Sequence, residues 1–106
     1  MIETKLYIGL NDADTHRQEF KTEQYVDVLK NVCITYQTPF SLDIQQGGYI
    51  HVDGTYTEEA TLVLSILDAQ QETVNAIARD LCAYFHQESI LITEDHVRSY
   101  FVTEGE

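Results

Sequence analysis

The sequence predicts an α+β fold: a ferredoxin-like two-layer sandwich of order β-α-β-β-α-β, with a candidate extra C-terminal edge strand. Three observations carry that reading. Two segments repeat apolar residues at helical spacing, four carry the two-residue alternation of half-buried strands, and their interleaving suits an antiparallel sheet with both helices on one face. The chain has 106 residues, 43% of them hydrophobic, and one proline. That fits a single domain over residues 1–106 with a core that needs no metal or disulfide staple.

The first strand spans Thr4 to Leu10, where Leu6, Ile8 and Leu10 alternate with Lys5, Tyr7 and Gly9. Asn11 to Lys21 is polar and turn-forming. Thr22 offers an N-cap to a helix running to about Cys33, whose Tyr25, Val28, Leu29 and Val32 share one face. Pro39 marks the following loop. From Ser41, the residues Leu42, Ile44, Ile50 and Val52 share one parity in a long second strand, with Gly47-Gly48 read as a bulge or bend. Asp53-Gly54 opens the connection to a third strand, Ala60 to Leu67. Asp68 caps a second helix, in which Val74, Ile77, Ala78, Leu81 and Phe85 fall on one face until about His86. Ser89 to Thr93 is the fourth strand, Glu94-Asp95-His96 a turn, and Val97 to Val102 the candidate edge strand.

Charge excludes more than it identifies. Six Lys and Arg face eighteen Asp and Glu, a formal charge of −12 at pH 7. No cationic side chain lies between Lys30 and Arg79. Phosphate recognition needs clustered cations, so neither direct nucleic-acid binding nor an anionic membrane surface is expected. No apolar run is long enough for a transmembrane helix. Cys33 and Cys82 read as small buried hydrophobes, and spacing alone does not pair them. The chain enters a strand pattern at once, without a leader, which places it in the cytoplasm unless a leader has been removed.

With both helices on one side, the open sheet face is where a partner or ligand would bind. Its outward residues are Tyr7 and Gly9, Gln45, Gly47, Tyr49 and His51, Val63 and Ser65, and Leu91. Of these, Tyr7, Gln45, Tyr49, His51 and Ser65 are the candidate ligand-binding or interface residues. Aromatic side chains beside apolar ones favour homo-oligomerisation through this face, with a small-molecule cavity as the lesser option. Exposed rings on a four-stranded sheet also suit RNA stacking, but the required cations are missing.

Histidines and acids allow further readings of low specificity. His51 and Asp53 point the same way on a strand, yet a metal site needs a third ligand that the sequence does not supply. His86 and Glu88 stand at a helix end, where a histidine is placed well against the macrodipole. Asp12, Asp14 and Glu23 fall at calcium-loop spacing, but Arg17 occupies the position that requires Gly, so Asp12, Asp14 and Thr15 are read as satisfying loop amides. Gln87-Glu88-Ser89 is a candidate functional triplet, better read as bonding the backbone of a helix-to-strand corner. No metal or cofactor is expected.

The segments Thr4-Lys5-Leu6-Tyr7-Ile8-Gly9-Leu10, Thr22 to Tyr25 and Gln87-Glu88-Ser89-Ile90-Leu91 resemble the bacterial domain-of-unknown-function 3574 family. The resemblance spans most of the chain, implies an α+β fold and brings no activity or catalytic residue. Members of that family are commonly exported, which this chain's opening does not match. Three functions follow as expectations. The first is a non-enzymatic, homodimeric interaction or small-ligand-binding module. The second is a small enzyme of the dimeric α+β barrel type, using His51 with Tyr7 or Tyr49. The third is an acidic mimic of nucleic acid.

Overall fold

The computed structural model describes residues 1–50 and 52–105, with Tyr49 in its backbone only. In chain order the elements are β1 (Ile2–Gly9), α1 (Thr22–Thr35), β2 (Ser41–Ile50), β3 (Tyr56–Leu67), α2 (Gln71–Tyr84) and β4 (Leu91–His96). The strands form one antiparallel sheet of order β2-β3-β1-β4, the expected ferredoxin-like arrangement.

Strand alternation places the core. Leu6, Ile8 and Leu10 pack with Leu62, Leu64 and Ile66 on one side of the sheet, beneath Tyr25, Leu29 and Val32 of α1 and Val74, Ile77 and Leu81 of α2. Residues paired across neighbouring strands face the same way, so Leu6, Leu64 and Leu42 lie in one row under the helices, while Tyr7, Val63 and Asp43 lie on the far side. Cys33 is fully buried in the core, which pushes its thiol pKa up to about 11, and neither cysteine forms a disulfide.

Several boundaries differ from the sequence reading. The residue before α1 is Lys21, not Thr22: Gln24 Oε1 reaches back to accept the Lys21 N–H at 2.9 Å, while the Thr22 hydroxyl accepts a bond from Gln18. Asp68 does not cap α2, which starts after Gln70; its N–H donates to the Ile2 carbonyl and its carboxylate accepts the Ile2 N–H, closing the start of β1 onto the end of β3. Gly47-Gly48 is not a bulge, because pairing runs unbroken from Ser41↔Ser65 to Ile50↔Tyr56. Gly48 instead leaves room for the Tyr56 ring lying over its backbone. β3 therefore starts at Tyr56, ahead of the expected Ala60, while β2 ends at Ile50, short of Val52.

At the C-terminus, Glu94-Asp95-His96 is strand and not turn, paired with Thr4, Glu3 and Ile2. Val97 to Val102 is not a strand. Its first residue exchanges hydrogen bonds with Met1, and among the described residues the ladder with β1 goes no further. Among the described residues no helix is long and apolar enough to cross a membrane.

Leu64 is fully buried in the central row. Leu64→Ala is expected to cost about 2–5 kcal/mol through lost burial and the cavity left behind. Urea unfolding followed by circular dichroism measures that loss.

Candidate functional site: an acidic groove at the end of the sheet

A difference in strand length opens the site. β1 pairs with β3 only over Thr61–Leu67, with one further bond from Leu10 N–H to the Ala60 carbonyl, so Tyr56–Glu59 pair in a ladder with β2 alone and project past the end of β1 as a two-stranded ribbon. The space beside that ribbon is a groove of about 610 Å³, within the range of small-molecule sites. Three segments line it. Asn11, Asp12, Ala13 and His16 come from the loop after β1; Asp53, Thr55, Thr57 and Glu59 from the hairpin; and Gln87, Glu88 and Ser89 from the corner between α2 and β4. Four lining residues are acidic and none is Lys or Arg.

One of those acids, Glu59, is seated over a glycine. Its carboxylate lies across the backbone of Gly9, 2.6 Å from where a β-carbon would stand, so only glycine leaves that seat empty. Its Oε2 accepts the Asn11 N–H at 2.9 Å. Asn11 is fixed in turn: its side-chain amide donates to the Glu58 carbonyl, and its own carbonyl accepts from Gln87 Nε2 at 2.6 Å. Cys82 Sγ donates to the Gln87 carbonyl. A chain of short polar contacts thus runs from α2 through Gln87 and Asn11 to a half-buried carboxylate.

The loop wall is tied down by a second set of contacts. Asp12 Oδ1 accepts the N–H groups of Asp14 and Thr15, as the sequence suggested. Ala13 N–H donates to the His86 carbonyl. The His86 ring stands between two carboxylates, with Nδ1 2.8 Å from Asp12 and Nε2 3.5 Å from Asp14. His86 occupies the left-handed region at φ 51°, just past the last turn of α2, which turns its ring toward this loop. Asp12, Asp14 and His86 bring their donor atoms within 4.8 Å of one another. The carboxylates address opposite ring nitrogens, so the donors meet one another and not a common centre. Glu23, the third residue of the calcium-loop spacing, lies on α1 outside this cluster.

The open face is present but lies apart from the groove. Tyr7, Val63 and Leu91 share it through register, as do Lys5 with Ser65 and Gln45 with Thr61. Tyr7 and Ser65 are half-buried, Gln45 and Leu91 exposed, and Val63 buried between Tyr7 and Asp43. None of Tyr7, Gln45 or Ser65 lines the groove. His51 and the Tyr49 side chain lie outside the described residues, and with them the proposed His/Tyr pocket. Gln87-Glu88-Ser89 both bonds the corner backbone and faces the groove. Glu59 was missed because the third strand was started at Ala60; its parity with Gly47 and its neighbour-but-one Thr61 are the signals that place it on this side of the sheet.

Comparisons with solved structures bear on the fold. A phage SAM lyase in complex with S-methyl-5'-thioadenosine superposes with a TM-score of 0.66 at 20% identity, covering 89% of this chain and 79% of that one. The phage SAM lyase in its apo state gives 0.68 at 21%, covering 89% and 78%. A DUF3240 family protein from Shewanella baltica OS155 gives 0.56 at 9%, covering 97% of both chains. No protein-family model matches the chain and no curated protein matches it. These likenesses establish a shared small α+β fold.

The His86 contacts give a pH dependence of definite sign. The imidazole pKa is raised, first by its hydrogen bond to Asp12 and then by the charges of Asp12 and Asp14. The Asp12 pKa is lowered, first by His86 and then by the loop amides. The histidine contribution to stability is complete below 6.5 and fades as pH rises through its raised native value. The Asp12 contribution is complete above 3.8 and fades as pH falls through its lowered native value. His86→Gln should therefore destabilise most between those two limits and least well above the upper one, read as the difference in denaturation midpoint from wild type at each pH.

Proposed function

We propose that the chain binds a small sulfonium nucleoside of the S-adenosylmethionine type in the acidic groove and cleaves one of its carbon–sulfur bonds. The observation that carries this reading is the seated Glu59 carboxylate in a groove with four acids and no cationic side chain. Such a groove favours a fixed positive charge and repels phosphorylated ligands. Asn11, Thr55, Thr57, Gln87 and Ser89 supply the neutral polar contacts that a ribose and an adenine require. The fold shared with a phage SAM lyase supports the choice of ligand.

The chemistry constrains what Glu59 does. On cleavage the bonding electron pair stays on sulfur, which becomes the neutral thioether of S-methyl-5'-thioadenosine. The departing carbon chain replaces that pair from an adjacent C–H bond, whose proton passes to a base, or from its own carboxylate. Positive charge at sulfur falls along this path. A carboxylate held against the sulfur would therefore stabilise the ground state more than the transition state and slow the reaction. Glu59 acts instead at the departing carbon, as proton acceptor or as the charge facing carbon that becomes electron-poor.

Incubation with S-adenosylmethionine, followed by chromatographic detection of S-methyl-5'-thioadenosine, tests the proposal. Wild type should release the thioether. Glu59→Gln should lose about 10²-fold or more in rate, the scale of a positioned acid or base. Gly9→Ala should keep the fold, since only a flexible side-chain end must move, while displacing the carboxylate and slowing turnover. Absence of product from wild type, or Glu59→Gln acting at the wild-type rate, contradicts the assignment.

A further inference from the structure

We propose that His86 is a proton-operated latch on the loop wall of the groove: its doubly protonated ring holds Asp12 and Asp14 together, and its neutral form releases Asp14 and the loop tip through His16. The inference is independent of which ligand the groove takes. It starts from a count of donors. Asp12 stands 2.8 Å from Nδ1 and Asp14 3.5 Å from Nε2, so each ring nitrogen faces a carboxylate oxygen. Ionised carboxylates only accept, and only the imidazolium donates from both nitrogens. The observed pair of contacts is thus a property of the charged ring.

Loss of one proton leaves one N–H for two acceptors. Asp12 keeps it, being at the shorter distance, only 16% exposed, and fixed through its other oxygen by the Asp14 and Thr15 N–H groups. Asp14, 81% exposed, is left with its carboxylate against the lone pair of Nε2, and that contact no longer holds. The base of the loop stays pinned whatever the ring's charge, because the Ala13 N–H donates to the His86 carbonyl and the Asn11 carbonyl accepts from Gln87. The tip has no such second anchor: its other printed ties, to Asp12 and from Thr15 to Glu19, stay within the loop and do not reach α2. His16 also holds φ 60°, the left-handed region that a β-carbon disfavours. Motion is therefore confined to Asp14–His16, and His16 lines the groove.

The surrounding charges set the direction of the switch. Asp12 and Asp14 of the loop touch the ring; Glu88 of the corner, with Asp53 and Glu59 of the hairpin, lines the groove that the loop walls, together with His16. The Arg17 guanidinium is paired with Glu19, toward α1. Carboxylates dominate, and they favour the imidazolium: the hydrogen bond to Asp12, then the charges of Asp12 and Asp14, raise the His86 pKa above 6.5. The latch accordingly holds below 6.5 and lets go as pH rises through the raised native value.

Nuclear magnetic resonance on the isotopically labelled full chain, without ligand, tests the latch across a pH series. The His86 ring shifts report its protonation, and the backbone nitrogen relaxation of Asp14, Thr15 and His16 reports order in the tip. Wild type should titrate His86 above 6.5 and lose order in the tip at the same midpoint. Asp14→Asn should lower the midpoint and keep the tip ordered throughout, since a side-chain amide can donate to the neutral Nε2. His86→Gln should abolish the pH response, and His16→Asn, which suits the same positive φ, should retain it. Tip residues indifferent to the His86 midpoint, a response that survives in His86→Gln, or an Asp14→Asn tip that loosens as wild type does overturns the proposal. Cleavage of S-adenosylmethionine is read separately, so its outcome does not decide this one.

Discussion

The architecture turns on β3 being paired on both sides for only part of its length. Over Thr61–Leu67 it is the sheet's centre, and Leu62, Leu64 and Ile66 place the core under both helices. Over Tyr56–Glu59 its ladder is with β2 alone. A sheet of equal strands would be filled to its end. Here the missing stretch of β1 leaves a wall of ribbon on one side, and the loop and corner that bound the gap turn it into a groove.

Electrostatics then decide what that groove accepts. Four carboxylates line it and no cationic side chain does, so the best complement is a compact cation with polar appendages. The acids are not equivalent. Asp12 spends its oxygens on two loop amides and the His86 ring, whereas Glu59 is oriented by one amide over a glycine seat and remains directed into the groove. Chemistry at the site depends on that difference between a structural acid and a poised one.

Much of the fold was legible because local periodicity and core placement agree. The two apolar helix faces and the inward rows of β1 and β3 needed no tertiary information. Strand ends were less legible: Glu94-Asp95-His96 looks like a turn, but antiparallel pairing with β1 carries polar edge residues without penalty. The site was hardest to see. His86 meets Asp12 across 74 residues, Gln87 meets Asn11 across 76, and Glu59 meets Asn11 across 48. No spacing rule connects such pairs; only the topology that folds the α2–β4 corner against the end of β1 does. Tyr7, Gln45 and Ser65 lie on the open sheet face, as alternation implies, but the groove lies at the end of that sheet, where strand lengths differ.

The most direct measurement is the map of backbone amide chemical shifts as S-adenosylmethionine is titrated into the isotopically labelled protein. The expectation is that the largest changes fall on Asn11 to Ala13, Thr57 to Glu59 and Gln87 to Ser89, from three segments that meet at the groove. Changes centred on Tyr7, Ser65 and Leu91, or none at saturating ligand, would contradict it.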